Sequence, residues 1–423
     1  MNRIHPLPLE GEGTGGGCAG ARPGAAAGHE GMGQGMRVAI VHDWLTGMRG
    51  GERCLEALCE LFPDATLYTL LHVPGSVSPA IERMRIRTSF LQRLGPFRRR
   101  FRALLPLFPL AVERFDLRGH DLVISSSHCV AKGALAPAGS RHVAYVYTPM
   151  RYVWDQAVAY ADGAGWGRLR RAAAAPVAGR LRRWDAASSA RVDEFVAISR
   201  HVAGRIRRCY GRDAAVIHPP VDAARFYPGE GEGDYYLVVS ALVPYKRVDL
   251  AVAACTRLGR PLKIVGAGPQ ARRLRRPAGP TVEFLGPCSD GEVAALYAGC
   301  RALLFPGLED FGIAPLEAQA AGRPVIAYGD GGACETVVPI NSRPAPPAGG
   351  PRAAEGPEGE PTGVFFFEQT ADALAAAIED LEANRHRFHP KVLRDRALAF
   401  DRPLFARAMA QYLGVPAEAG APC

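Results

Sequence analysis

From residue 36 onward, short apolar runs alternate with longer stretches in which apolar positions recur with the period of a helix. The runs 38–41, 66–70, 122–125 and 143–147 read as strands, and 52–61 and 192–210 as helices. After a polar, Gly-containing break at 211–233 the alternation resumes, with strands at 236–239, 262–265, 282–285, 302–305 and 325–327 and helices at 248–258, 290–299 and 316–321. Strands that are apolar throughout and separated by helices predict parallel sheets covered on both faces. Two such units in series predict an α/β chain of two Rossmann-like, doubly wound domains facing a cleft, with ligands beyond the carboxyl ends of the strands.

The predicted domains span 36–212 and 213–400, with 401–423 forming a last helix, near 403–413, and a tail. Residues 1–35 are Gly-rich and lack any strand or helix period, which predicts disorder, or a mis-assigned start with Met36 the true beginning. A Pro- and Gly-rich stretch at 339–361 reads as a surface insertion ahead of a helix at 371–381. A length of 423 residues suits two domains, and 48% apolar with 22% charged residues describes a soluble globular protein. The net charge of +9 points to an anionic partner. Helix-turn-helix, zinc-finger and aromatic RNA-binding signatures are absent from the sequence, so a sugar nucleotide or anionic lipid fits better than nucleic acid. The ten Cys are scattered without metal-ligand or paired spacing, which predicts buried thiols in a reducing cytoplasm. No apolar run has the length of a membrane span or the form of a secretory signal.

Chemistry concentrates where strand 302–305 meets the following helix, in Glu309-Asp-Phe-Gly-Ile-Ala-Pro-Leu-Glu317. Backbone N–H groups at such a helix start, with the dipole behind them, attract a phosphate, and Gly312 lets a ligand approach the backbone. Glu317 is then placed to accept hydrogen bonds from a ribose and Glu309 to face a sugar; the plainer alternative is a solvated acidic pair where acids are favoured anyway. Lys246 and Arg247 follow strand 236–239, where cations are placed to neutralise a diphosphate and ill placed for an adjoining helix start. Gly50 and Gly51 lie between the first strand and helix 52–61, allowing close backbone approach, or simply a turn. His128 ends strand 122–125 on the same side, where a backbone-satisfying His is the ordinary reading.

Two carboxylates with seven residues between them, set in Glu-Asp-Phe-Gly-Ile-x-Pro-x-Glu-Ala, resemble the signature of the retaining glycosyltransferases of family 4, which have the two-domain GT-B fold. His42-Asp-Trp-Leu-Thr-Gly-Met-Arg-Gly-Gly-Glu52, Ser125-Ser-Ser-His128, Tyr147-Thr-Pro-Met-Arg-Tyr-Val-Trp-Asp155, Val216-Ile-His-Pro-Pro-Val-Asp222 and Val243-Pro-Tyr-Lys-Arg-Val-Asp249 resemble the branch acting in O-antigen and exopolysaccharide assembly, often as mannosyltransferases. The resemblance implies transfer of a hexose, mannose from GDP-mannose first, to a lipid-linked saccharide at the cytoplasmic membrane face. It implies catalytic roles for His128, Glu309 and Lys246, and donor contacts from Gly50, Gly51, Arg247, Phe311, Gly312, Ile313, Ala314 and Glu317. Arg151, Tyr152, Trp154 and Asp155 fall on the acceptor side, although core packing explains Tyr152 and Trp154 equally well. No metal or cofactor is expected, since cations and the helix N-terminus take the part of a divalent ion. Two positions depart from the pattern: Ala241 stands where many relatives have Arg, with Arg247 the nearest replacement, and Tyr147 where they commonly have His.

Within chemistry the competing reading is a UDP-sugar enzyme of the same fold; outside it, a sugar-nucleotide-binding protein without turnover. A dinucleotide oxidoreductase is disfavoured because no G-x-G-x-x-G follows the first strand. The segment 86–115 interleaves Arg with Phe and Leu, and Arg recurs from 168 to 183. That composition suits an anionic membrane surface; the alternative is a core segment with a solvated basic face.

Overall fold

The computed structural model describes residues 35–94, 101, 103–154, 168–231, 233–341 and 359–416, and the side chains of the helix beginning at Arg168 from residue 175. The readings made for residues 1–34, for Asp155, for Phe97 and Arg98 to Arg100, for Arg102 and for 342–358 of the insertion lie outside the described residues.

Among the described residues, seven parallel strands form the first sheet: β1 (Val38–His42), β2 (Thr66–Thr69), β3 (Arg85–Thr88), β4 (Leu122–Ser127), β5 (Arg141–Val146), β6 (Glu194–Ala197) and β7 (Ala215–Val216), in the order β3-β2-β1-β4-β5-β6-β7. Six more form the second: β8 (Tyr235–Val239), β9 (Leu262–Val265), β10 (Val282–Gly286), β11 (Cys300–Phe305), β12 (Val325–Tyr328) and β13 (Gly363–Phe366), in the order β10-β9-β8-β11-β12-β13. This is the predicted pair of doubly wound sheets. Chain direction reverses its lateral progress between β1 and β4 and between β8 and β11, which opens a crevice at the carboxyl end of each pair.

The helices that bear on the site are α1 (Gly50–Leu61), α2 (Phe108–Glu113), α3 (Arg168–Ser188), α4 (Arg200–Tyr210), α5 (Val248–Leu258), α6 (Asp290–Gly299), α7 (Ile313–Ala320), α8 (Ala371–Ala383), α9 (Pro390–Leu398) and α10 (Arg402–Leu413). Local signals set their ends. Ser289 and Glu292 form a capping box at α6, Ser199 accepts from the Val202 amide at α4, and Gly211, Gly259 and Gly414 close α4, α5 and α10 in the left-handed region. Expected and observed bounds coincide at 248–258, 262–265 and 290–299.

Three expectations are corrected. Gly50 and Gly51 do not precede the helix; they are its first two residues. The stretch 192–210, read as one helix, holds β6 and then α4, because Phe195, Val196 and Ala197 are needed in the sheet between β5 and β7. The segment 86–115 is broken into β3, a 3-10 turn at Phe90–Arg93 and α2. Edge strand β3 exposes Arg85, Arg87 and Thr88, the charged edge that discourages pairing with another sheet and also hides the strand from an apolar-run reading. Leu91, Phe101 and Phe108 are buried around Trp44 against the first sheet, so much of the apolar surface offered to a membrane is core; Leu94, Leu107 and Leu110 remain exposed.

The C-terminal helix α10 lies on the first sheet's helix layer. Arg402 pairs with Glu56 and Glu60 of α1 at 3.3 and 2.6 Å, Phe405 meets the Tyr145 ring, and Arg141 donates to the Leu413 carbonyl at 2.9 Å. Val221 in the crossing segment donates to the Phe400 carbonyl at 2.9 Å, so both crossings between the sheets are tied together.

Candidate active site

Asp43, the residue after β1, is wholly buried, and its carboxylate accepts the backbone N–H groups of His128, Cys129, Val130 and Ala131 at 2.7, 2.9, 2.6 and 2.9 Å. Those four amides follow β4, so one side chain fixes the turn on the other side of the first crevice. His128 Nδ1 lies 3.1 Å from the same carboxylate, with Nε2 the ring's other nitrogen. The His128 ring stands edge-on to Trp44, and burial holds its pKa below the ordinary imidazole range despite Asp43, so the ring is neutral near pH 7. Lys132, at the end of this turn and fully buried, donates to the Asp185 carbonyl and Ser188 Oγ and pairs with the Asp185 carboxylate at 3.0 Å, anchoring the turn to α3.

A directional chain of hydrogen bonds sets the start of α1. The Gly51 carbonyl can only accept, so Tyr147 donates its hydroxyl to it at 2.9 Å; Ser126 therefore donates to Tyr147 at 2.8 Å, and His42 Nδ1–H donates to Ser126 at 3.0 Å. Tyr147 thus holds the first turn of α1, a job the hydroxyl's reach makes possible and an imidazole at that position would do differently. Glu52, buried, accepts the Arg49 amide at 3.1 Å; burial raises its pKa, but the neighbouring His42 outweighs this and holds the carboxyl below its ordinary range.

The second crevice faces this one. A Cβ on Gly50 would lie 3.2 Å from Ile313 Cδ1, so the N-terminal turns of α1 and α7 abut. Gly312 caps α7 at φ 92, a left-handed conformation, and a Cβ there would reach 3.0 Å from the Phe305 ring. Gly312→Ala is expected to cost about 1–3 kcal/mol of stability and to displace the α7 amides; urea unfolding and ligand titration of the variant check this.

Lys246 reaches across from the turn after β8 to form an ion pair with the largely buried Glu309 carboxylate. Glu317, one turn into α7, accepts the Tyr297 hydroxyl on Oε2 at 2.9 Å; burial pushes its pKa up, and it lines a narrow interdomain pocket with Arg53, Arg225, Phe226, Ile313 and Arg402. Other residues singled out from the sequence have side-chain partners of their own. Arg247, at φ 49, is turned to Asp249. The Phe311 ring is buried, stacked on His218 and against Phe400, so only its backbone borders the crevice. Tyr152 and Trp154 pack against the core beneath the first sheet, and Trp154 Nε1 donates to Asp185 at 2.7 Å.

Sequence reasoning gave no role to Asp43, Asp310 or Glu335. Asp310, beside Glu309, is buried and receives Arg151 and Arg205 of the first unit, while Ser199 Oγ donates to its carbonyl. Glu335 accepts the Arg200 and His201 amides at 2.9 and 3.0 Å, capping α4 from the second unit, and pairs with His218 at 3.0 Å. Burial raises the Glu335 pKa, but these donors outweigh it and the carboxyl is held below its ordinary range. Stabilisation from a depressed carboxylate is complete above the unfolded pKa of about 4.3 and is lost as pH falls through the folded value. Thermal unfolding of Glu335→Gln should therefore show a lower midpoint at pH 7 and a shallower acid decline than the unaltered protein.

Two doubly wound parallel sheets with facing crevices, with the starts of α1 and α7 against one another, define a GT-B architecture. The family models agree: Glycosyltransferase Family 4 matches residues 48–225 and Glycosyl transferases group 1 matches 222–397, and the chain belongs to the family 4 glycosyltransferases. Among relatives, the GDP-mannose-dependent alpha-(1-6)-phosphatidylinositol monomannoside mannosyltransferase of Mycolicibacterium smegmatis is 30% identical over 49% of this chain and 58% of its own length. The D-inositol 3-phosphate glycosyltransferase of Streptomyces bingchenggensis is 29% identical over 33% of this chain and 38% of its own. The chain thus aligns with about half, or less, of these relatives' lengths. Sucrose-phosphate synthase from Thermosynechococcus elongatus shares the fold at TM-score 0.64 and 19% identity, covering 90% of this chain and 98% of that one. HepE of Anabaena, in complex with UDP and glucose, does so at TM-score 0.64 and 16% identity, covering 90% and 100%. Among the described residues no helix is long and apolar enough to cross a membrane.

Proposed function

We propose that the protein transfers a hexose, mannose from GDP-mannose first, with retention of configuration onto a lipid-linked saccharide at the cytoplasmic face of the membrane, in cell-surface polysaccharide synthesis. The observation that carries this reading is the Lys246–Glu309 pair, with Glu309 in the loop that leads into α7, whose first turn abuts that of α1 and is followed by Glu317. Glu317, with Oε2 held by Tyr297, presents its other oxygen to the ribose hydroxyls. The amides of Gly312, Ile313 and Ala314 and the Lys246 ammonium receive the diphosphate, where negative charge develops as the leaving group departs. Glu309 and the neutral imidazole of His128 hold the sugar between them from opposite walls. The acceptor hydroxyl oxygen bonds to the anomeric carbon on the face from which the phosphate leaves, the carbon–phosphate oxygen bond breaks, and the hydroxyl proton passes to the departing phosphate. Lys246 and the two helix starts take the electrophilic part, so activity is expected to survive chelation with EDTA. Membrane docking through the exposed Leu94, Leu107 and Leu110 beside the basic 85–93 segment would bring the acceptor to the cleft.

Calorimetric titration with GDP, UDP and NAD tests the reading, followed by transfer from the matching sugar nucleotide with the product's anomeric configuration read by NMR. GDP selectivity and an α-linked product support it; UDP selectivity changes the sugar; binding of a nucleoside diphosphate with no transfer to any lipid-linked saccharide would favour a binding protein, and binding of NAD alone would overturn it.

A further inference from the structure

We propose that Arg151, carried by the loop after β5 of the first sheet, is the second cation of the diphosphate site, parked on Asp310 until a nucleoside diphosphate takes its place. The inference rests on the sugar-nucleotide reading above and moves Arg151 from the acceptor side, where the sequence alone put it, to the donor.

Its guanidinium crosses the cleft to the Asp310 carboxylate and lies over the Tyr245 ring, 5.4 Å from the centroid. Asp310 follows Glu309 in the chain and Tyr245 precedes Lys246, so Arg151 touches the immediate neighbour of each member of the Lys246–Glu309 pair. Among the described residues, two neighbouring positions of the second unit offer no free charge. Ala241, exposed at the end of β8, has none, and Arg247 is turned away to Asp249. Lys246 is itself shared with Glu309, so the charge of a departing diphosphate exceeds what this loop alone neutralises.

Arg151 can leave Asp310 without stranding it. Removing the partner of a buried charge is normally costly, but Arg205, whose side chain is only 8% exposed, stays on the other Asp310 oxygen and also donates to Thr148 Oγ1 at 2.7 Å. Arg151 is the more accessible of the two, at 22%. A guanidinium's planar fork also suits two phosphate oxygens better than an ammonium does. Arg205 is thus the fixed half of the clasp and Arg151 the half that transfers. Charge neutralisation then depends on both sheets lying against the donor, and a phosphate bound to the second unit alone lacks it.

The test is the affinity for GDP and UDP, against GMP and UMP, of the whole protein and its Arg151→Gln, Arg151→Lys and Asp310→Asn variants, by calorimetry. Arg151→Gln is expected to weaken the diphosphate that the unaltered protein prefers by about ten- to a hundredfold while changing the monophosphate by less than about threefold, with Arg151→Lys between. Asp310→Asn, which frees Arg151, is expected to bind that diphosphate as tightly or more tightly. Equal weakening by Arg151→Gln and Asp310→Asn would show a clasp and nothing more, and overturn the proposal. So would an unchanged preference for diphosphate over monophosphate in Arg151→Gln. If Arg151→Gln fails to unfold cooperatively, Arg151→Lys and Asp310→Asn decide by the same criteria. An unaltered protein that binds neither diphosphate removes the sugar-nucleotide reading itself, whatever the variants do.

Discussion

Replacing Lys246 by Ala is expected to lower kcat/KM for the sugar nucleotide by about a hundred- to a thousandfold, the scale at which a preorganised group facing developing charge acts. Two effects add. The ammonium is lost from the diphosphate, and Glu309, mostly buried and paired with Lys246, is left as an uncompensated anion beside the incoming phosphates. Glu309→Gln removes the sugar contact but not the cation, so it should lower kcat while leaving nucleoside diphosphate affinity within about threefold or raising it. The double variant Lys246→Ala/Glu309→Gln should bind nucleoside diphosphate more tightly than Lys246→Ala alone, because the repulsive carboxylate is gone. Steady-state kinetics and calorimetry on the three variants check this; a Lys246→Ala enzyme within threefold of the unaltered one, or strictly additive losses, would contradict the assignment.

Asp43→Ala should destabilise the first sheet by about 4 kcal/mol or more, a loss reserved for a few kinds of substitution. Its carboxylate holds four consecutive buried or half-buried amides, each of which costs about 1–3 kcal/mol when left without an acceptor. Asn is a poor replacement, since its NH2 would face amide N–H groups, so Asp43→Asn is expected to recover less than half of the loss. His128→Ala leaves the four amide bonds in place, which separates the fold from the chemistry: it should lose turnover with a urea midpoint close to that of the unaltered protein. If Asp43→Ala unfolds at the unaltered midpoint, the turn after β4 is held by something else.

Much of this molecule is legible in its sequence, and the misses share a cause. The all-apolar central strands, such as Val-Ala-Ile-Val before His42 and Leu-Val-Ile before the Ser run of β4, announce burial on both faces, and caps at Ser289 and Ser199 announce helix starts. β3 escapes because an edge strand with one covered neighbour tolerates Arg-Ile-Arg-Thr, and β7 because two residues have no period to read. The strand β6 was submerged in a helical pattern because Glu194–Ala197 is too short for period alone to separate it from α4. Glu309, Glu317, Lys246 and the glycines could be singled out because each sits next to its own strand or helix end, where local geometry already restricts what such a residue does. Phe311 and Arg247 share that address, and their side chains are engaged by His218 and by Asp249.

The central strands of both sheets, the two-unit architecture and the crevice ends of the sheets follow from the sequence, because burial pattern, capping and turn chemistry act between residues a few positions apart. The partners of Asp43, Asp310, Arg151 and Glu335 were decided only by the tertiary structure. Asp43 lies 85 residues from His128 and Arg151 lies 159 from Asp310, and a charge on a loop carries no mark of the chain it will face. Its choice is made when two sheets close on one another and desolvation forces every buried charge to find an opposite one.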